Sequence, residues 1–220
     1  MNKNKKILFA AAGCLLAFIV LIVLVKCVDV AAIGPEQSSI GLATLNQWVF
    51  QATGVHMIWY TITDYLGIVA IVSAMIFGVA GLIQMNSRRS LFKVDTDIIL
   101  LGIFYVIVAG FYVLFEICIV NYRPVLMDGY LEASFPSSHA MIVLSFLGAA
   151  MILIGYRIKN RVWKILLQGL CAAVIVVTII GRLISGVHWF TDICAGILLG
   201  TALILLYLFT VRRVNKKAVK

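Results

Sequence analysis

The second half of the sequence contains five side chains whose types suit the transfer of a phosphoryl group: Arg123, His139, Arg182, His188 and Asp192. Guanidinium groups bind phosphate oxygens through paired hydrogen bonds. A neutral imidazole can act as a nucleophile, and a second imidazole can protonate a leaving oxygen. Asp192 follows His188 by four residues, so one helical turn would place its carboxylate beside that ring.

The segment Pro136-Ser137-Ser138-His139 precedes an apolar run and has the composition of a helix start. The first backbone N–H groups of a helix have no partner within it, and the helix dipole favours a negative charge at that end. The segment is therefore suited to an anion, and it ends in one of the two histidines.

The elements that must position these residues are membrane-spanning helices. The 220 residues are 63% hydrophobic and only 12% charged, with a mean hydropathy of +1.10, whereas soluble domains are about 25% charged. A span needs about 20 apolar residues. We predict an all-α, polytopic membrane protein with one domain over residues 1–220, six transmembrane helices and a short interfacial helix near residues 40–50. The predicted spans are about 7–25, 58–82, 98–120, 139–156, 165–184 and 190–211.

Lysine and arginine are distributed unevenly between the two sides of the predicted bundle. One side, which includes both ends of the chain, has 15 of the 18, and the other has Lys26, Arg123 and Arg182. Because cytoplasmic loops are enriched in these residues, we predict cytoplasmic N and C termini. The net charge of +9 then reflects topology and contact with anionic lipids, not binding of nucleic acid. The five cysteines show no CxxC spacing, so neither a metal site nor a disulfide framework is predicted.

Three short motifs resemble, in order, the signature of the type 2 phosphatidic acid phosphatase family. They are Arg123-Pro124, the segment 136–139, and Arg182 followed by His188 and Asp192, within a region of about 116–192. That family has a six-helix membrane core with its site at the outer face. It removes phosphate from lipid phosphates and diphosphates through a phosphohistidine, without a metal. The resemblance implies the same fold and activity here, with no cofactor.

The resemblance also implies a role for each motif residue. His188 would attack phosphorus, Asp192 would orient His188, and His139 would protonate the leaving group. The phosphoryl oxygens would be bound by a set of polar residues at the same level: Arg123, Arg182, Ser137 and Ser138.

Three positions depart from the family pattern. Ser138 stands where the family usually has glycine, and Gly181, where it usually has serine, loses one possible phosphate hydrogen bond. Glu116 stands where the family has lysine, about two helical turns before Arg123. Glu116 can be interpreted as binding a cationic or hydroxyl-rich part of the substrate, as holding Arg123 through a salt bridge, or as the sign of a weak enzyme.

We predict a cell-membrane phosphatase that hydrolyses lipid phosphate monoesters or diphosphates on the extracytoplasmic side. The alternatives are a lipid phosphotransferase on the same scaffold and a catalytically weak lipid-phosphate-binding protein. Phosphatidic acid, phosphatidylglycerol phosphate, isoprenyl diphosphates and phosphorylated glycolipids all remain open as substrates, as does the oligomeric state. Two other acids are interpreted more simply, Asp64 as a local cap or pair and Glu132 as a solvated loop residue.

Overall fold

The computed structural model describes residues 3–218, and α-helices account for most of them. Six helices are long and apolar enough to cross a membrane, and a shorter one, α2, lies between the first two of these. No strand occurs in the described part of the chain. The helices are α1 (Lys3–Cys27), α2 (Ala43–Thr53), α3 (Met57–Arg88), α4 (Thr96–Ile117), α5 (Ser138–Arg157), α6 (Arg161–Ser185) and α7 (Phe190–Ala218).

The six long helices confirm the predicted all-α membrane bundle, with shifts at the helix ends. Helix α3 continues to Arg88, nearly two turns past the predicted end, because polar residues extend the helix beyond its apolar run. Helix α4 ends at Ile117, before the predicted boundary near residue 120. The short helix predicted near residues 40–50 is α2. Of the basic C-terminal residues, Lys220 and the side chains of Lys216 and Lys217 lie outside the described residues.

Helices α5 and α7 form the centre of the bundle. Helix α5 packs against α3, α4, α6 and α7, while α1 packs along α7. The main core contains Leu101, Phe104, Leu153 and Leu199, all buried. Helices α1, α3 and α6 expose many large apolar side chains, as expected for surfaces that face lipid.

Local sequence features set the ends of α6. The side chain of Asn160 accepts hydrogen bonds from the first N–H groups of α6 and caps its start. Gly186 ends the helix with a φ of +71°, a conformation that glycine adopts without strain. A Cβ on Gly186 would also lie 2.4 Å from the carbonyl oxygen of Gly54. Glycine thus lets the turn before His188 pack closely against the segment between α2 and α3.

The loop between α4 and α5 folds back on itself like a narrow hairpin. The backbone N–H of Ser134 donates to the carbonyl oxygen of Asn121 at 3.0 Å, which pairs the two arms of the loop. The N–H of Ser137 donates to the carbonyl oxygen of Asp192 at 3.0 Å. The loop is therefore fixed against the start of α7, although the two segments are far apart in the sequence.

A cluster of ion pairs ties α3, α4 and α5 together at the end of the bundle where the termini lie. Asp95 Oδ1 lies 2.7 Å from Arg88 Nη1, and Asp95 Oδ2 lies 2.8 Å from Arg157 Nη2. The hydrogen bond from Arg88, followed by that from Arg157, lowers the pKa of Asp95 to about 2. Asp95 is therefore ionised throughout the physiological pH range.

Candidate active site

Helix ends and one loop meet at the end of the bundle opposite the termini. Helices α4 and α6 end there, and α3, α5 and α7 begin there. The structure places all eight residues that the sequence singled out around this point: Glu116, Arg123, Ser137, Ser138, His139, Arg182, His188 and Asp192.

Asp192 is completely buried in the first turn of α7, and three groups donate hydrogen bonds to its carboxylate. The backbone N–H of Trp189 donates to Oδ2 at 2.9 Å, which caps the helix. The hydroxyl of Ser134 donates to the same oxygen at 2.5 Å, and Asn121 Nδ2 donates to Oδ1 at 3.1 Å. These donors and the helix N-terminus stabilise the ionised carboxylate in one orientation.

The ring of His188 lies just before α7 and is buried. Its Nδ1 is 3.0 Å from Ser134 Oγ but 3.8 Å from Asp192 Oδ2, which is too long for a hydrogen bond. The four-residue spacing predicted a direct contact between two residues of one helix. Because α7 begins only at Phe190, His188 lies before the helix, and the hydroxyl of Ser134 connects its ring to the Asp192 carboxylate instead. Burial lowers the pKa of His188 to about 4 against the opposing effect of Asp192, so the ring is neutral at neutral pH.

Arg182 is completely buried near the end of α6. Its Nη2 donates to Asp64 Oδ1, and its guanidinium group lies over the ring of Tyr60, 4.7 Å from the ring centroid. Its Nε and Nη1 are buried and have no hydrogen-bond partner among the described residues. Those N–H groups can bind an anion.

Arg123 lies in the α4–α5 loop, with its side chain 11% exposed. Its Nε is 3.1 Å from Glu132 Oε2, so Glu132, which is exposed in the loop as predicted, is also the ion-pair partner of Arg123. The salt bridge that we considered between Glu116 and Arg123 is formed by Glu132 instead. Helix α4 ends at Ile117, so Arg123 does not lie on the same helix face as Glu116. Arg123 Nη1 is buried without a hydrogen-bond partner in the described chain, which leaves it available to an anion.

His139 lies in the first turn of α5 and faces α3. Its Nε2 is 3.0 Å from Asp64 Oδ1, the same oxygen that accepts from Arg182. Asp64 therefore connects the second histidine with the buried arginine. The prediction of a local cap or pair for Asp64 is wrong, because its partners come from α5 and α6 and not from its own helix.

The two serines at the start of α5 differ in their surroundings. Ser137 is buried, and its side chain accepts a hydrogen bond from the backbone N–H of Ala140, so it caps the helix. Ser138 is half-buried and lines two cavities. Ser138 is thus the more accessible of the two predicted phosphate ligands.

Two cavities meet at Ser138 and Tyr112, which line both. A small one, of about 10 Å³, is also lined by Glu116, Ser134 and His188. The larger one, of about 430 Å³, lies between α3, α4 and α5. Its polar end contains Asp64 and His139, and its other walls are mainly apolar: Gly67, Ile68, Ile71, Ile142 and Val143. A polar site is thus continuous with an apolar groove.

A family model described as the PAP2 superfamily matches residues 116–216, which include every one of these candidate residues except Asp64 and Tyr60. This part of the chain, a little under half of its length, is similar to that superfamily. Its fold is similar to the crystal structure of the first transmembrane PAP2-type phosphatidylglycerolphosphate phosphatase from Bacillus subtilis. The TM-score is 0.66 at 16% sequence identity, and the match covers 94% of this chain and 98% of that one. No curated protein sequence matches this chain.

One departure from the PAP2 pattern has a steric explanation. A Cβ on Gly181 would lie 2.6 Å from Thr63 Cγ2 and 3.0 Å from Trp59 Cε3. Helix α3 therefore packs too closely against α6 for the serine that is usual there. The missing hydroxyl is a consequence of the α3–α6 contact that also places Asp64 beside Arg182.

Sequence reasoning missed the contacts of several polar or aromatic residues in this site: Tyr60, Asp64, Asn121, Glu132 and Ser134. The sequence did indicate a role for Asp64, since an acid within an apolar span is costly and is a functional candidate by default. Ser134 had none, because a loop serine two residues before a proline is common and its partners lie in a distant segment.

Proposed function

We propose that this membrane protein is a lipid phosphatase that hydrolyses phosphate monoesters or diphosphates through a phosphohistidine at His188, without a metal. One observation carries the proposal: within the described residues, buried N–H groups of Arg123 and Arg182 and the buried Nε2 of His188 all lack a hydrogen-bond partner. The charges of both arginines reach His188 and help to keep it neutral. This combination provides donors for phosphate oxygens and a nucleophile for phosphorus.

The reaction proceeds in two displacements. In the first, Nε2 of His188 forms a bond to phosphorus, and the bond between phosphorus and the lipid oxygen breaks. The electron pair of that bond goes to the lipid oxygen, which takes a proton from the protonated ring of His139 and leaves that ring neutral. In the second, His139 removes a proton from water, the water oxygen attacks phosphorus, and inorganic phosphate leaves His188. Arg123 and Arg182 bind the equatorial oxygens in both steps.

The groove between α3, α4 and α5 supports a substrate with a long apolar chain. It begins at Asp64 and His139 and continues along isoleucines at membrane depth. A leaving oxygen near His139 would thus have its attached acyl or isoprenoid chain in an apolar wall.

The distribution of cations supports an extracytoplasmic site. The end of the bundle that contains the termini also contains Arg88, Arg89 and Lys93 after α3 and the basic residues around the α5–α6 turn. Cytoplasmic segments are enriched in lysine and arginine, so we place both termini in the cytoplasm and the site outside.

The test is a phosphate-release screen of the purified protein in detergent micelles. The panel contains phosphatidic acid, phosphatidylglycerol phosphate, an isoprenyl diphosphate and a phosphorylated glycolipid. We expect activity in the wild type and a loss of at least about 1,000-fold in His188→Ala, since removal of a nucleophile leaves only binding and electrostatic catalysis. His56→Ala is the matched control, because the His56 side chain is exposed at the same end of the bundle and its ring contacts the carbonyl oxygen of Thr53.

Different outcomes identify the alternatives. An acid-labile phosphoprotein that is absent from His188→Ala supports the covalent step. Transfer of labelled phosphate to a second lipid or a sugar, in place of water, would identify a phosphotransferase. Binding of the lipids without turnover by any of them would show a binding protein and refute the phosphatase.

A further inference from the structure

We propose that Ser134 is a positioning residue for the nucleophile: its hydroxyl connects Asp192 to His188 and fixes the proton of His188 on Nδ1. The inference rests on the proposed function of His188 and extends it to a residue outside the three motifs. Ser134 is 2% exposed and lies in the α4–α5 loop.

The distances show that the serine stands between the two groups. Ser134 Oγ is 2.5 Å from Asp192 Oδ2 and 3.0 Å from His188 Nδ1. The direct distance from Nδ1 to that carboxylate oxygen is 3.8 Å. Asp192 thus acts on the ring mainly through the hydroxyl.

The direction of each hydrogen bond follows from the number of protons. The N–H groups of Trp189 and Asn121 point to the two oxygens of Asp192, which therefore serves as an acceptor. An ionised carboxylate has no proton to donate, so the single proton of Ser134 goes to Asp192. The hydroxyl oxygen then accepts from the ring, and Nδ1 of His188 must have the proton.

The consequence is that Nε2 of His188 has a free electron pair. A neutral imidazole has one proton and two nitrogen atoms, and only the unprotonated nitrogen is nucleophilic. Nε2 is buried and has no hydrogen-bond partner among residues 3–218. Burial keeps the ring neutral, since it lowers the pKa of His188 to about 4. The position of that one proton therefore decides whether His188 can attack.

The same bridge stabilises the ring during the reaction. When Nε2 bonds to phosphorus, the imidazole becomes positively charged, and the departing oxygen takes its proton from His139. The Nδ1–H bond to Ser134 becomes charge-assisted, and the hydroxyl is polarised towards Asp192. No bond to Ser134 forms or breaks, and no proton leaves Nδ1.

The fold explains why this hydroxyl can be so well oriented. The backbone N–H of Ser134 is paired with Asn121, whose side chain donates to Asp192. The next residue, Phe135, is buried in the core against Phe18 and Phe115. The serine is thus held from both sides, which reduces the entropy lost in orienting it.

The first experiment compares Ser134→Ala with the wild type on phosphatidic acid and on p-nitrophenyl phosphate. We expect kcat to fall by about 10- to 100-fold, the usual effect of removing a group that orients a catalytic ligand. KM should change by less than about threefold, because no phosphate contact is lost. Ser145→Ala is the matched control: Ser145 is a completely buried serine on α5 without a hydrogen-bond partner in the described chain. Unchanged kcat in a folded Ser134→Ala protein would overturn the inference.

A double-mutant cycle separates positioning from general stability. If Ser134 acts through Asp192 and His188, Ser134→Ala should add almost nothing to the loss in Asp192→Asn. Multiplicative losses would show that the serine acts elsewhere and would overturn the inference. Should the alanine variant fail to fold, Ser134→Cys keeps the size but provides only a weak hydrogen-bonding group, and it should lose kcat in the same way.

His188→Ala distinguishes the two proposals. Retained activity in His188→Ala would refute the proposed function itself. An inactive His188→Ala protein beside a fully active Ser134→Ala protein would refute only the serine bridge.

Discussion

Asp64→Asn is expected to separate protonation of the leaving group from the other steps of the reaction. Asp64 Oδ1 lies 3.0 Å from His139 Nε2 and also accepts a hydrogen bond from Arg182. Asparagine keeps the size of the side chain but removes its charge. The hydrogen bond that orients His139 then loses its charge assistance, while the proposed nucleophile His188 and its hydrogen-bond partners are untouched.

The size of the effect follows from the kinds of hydrogen bond involved. A bond to a charged group contributes about 1.5–3 kcal/mol and a neutral one about 0.5–1.5 kcal/mol, so the variant loses roughly 1–2 kcal/mol. That is about 5- to 30-fold in rate. The side chain of Asp64 is 39% exposed, so solvent screens the pair and the lower part of the range applies, about 5- to 10-fold.

The assay compares two leaving groups in detergent micelles. For phosphatidic acid, whose alkoxide needs a proton, kcat should fall about 5- to 10-fold. For p-nitrophenyl phosphate, whose phenolate leaves unprotonated, kcat should change less than about twofold. Asp29→Asn is the control, because that exposed acid lies at the same end of the bundle and caps α2. Equal losses on both substrates would refute the assignment of Asp64 to the leaving-group side.

Two further predictions concern the other acids. Glu116 is exposed and lines the same small cavity as His188. Glu116→Lys should therefore lower KM for phosphatidic acid about 3- to 10-fold, because it replaces a charge that repels the phosphate. An unchanged or higher KM would contradict this and favour substrate recognition by Glu116. Asp95 has a pKa lowered to about 2 from 3.8 by Arg88 and Arg157, so its ion pairs contribute stability above about pH 4 that is lost as the pH falls towards 2. Thermal unfolding in detergent should therefore show Asp95→Asn less stable than wild type at pH 7, with the difference shrinking below pH 4; a difference independent of pH would refute the role of its charge.

Hydropathy alone predicted the number and approximate bounds of the long helices in this protein. Six long apolar runs are stable only when a bilayer surrounds them. Within the bilayer, an isolated segment can pair its backbone N–H and C=O groups only as a helix, so each run predicts one helix with approximate bounds. The motif residues were also found from the sequence, because they lie at the helix ends, where the apolar runs stop.

Only the tertiary structure decided how these residues are connected. The four-residue spacing predicts a direct contact of His188 with Asp192, but the residue that joins them is Ser134, 54 positions before the histidine. Seven residues on a helix would pair Glu116 with Arg123, but α4 ends between them and Glu132 becomes the partner. Asp64 reaches Arg182 across 118 residues. Hydrogen bonds and ion pairs act over about 3 Å, and such distances between remote segments are set by how helices pack, which local periodicity does not encode.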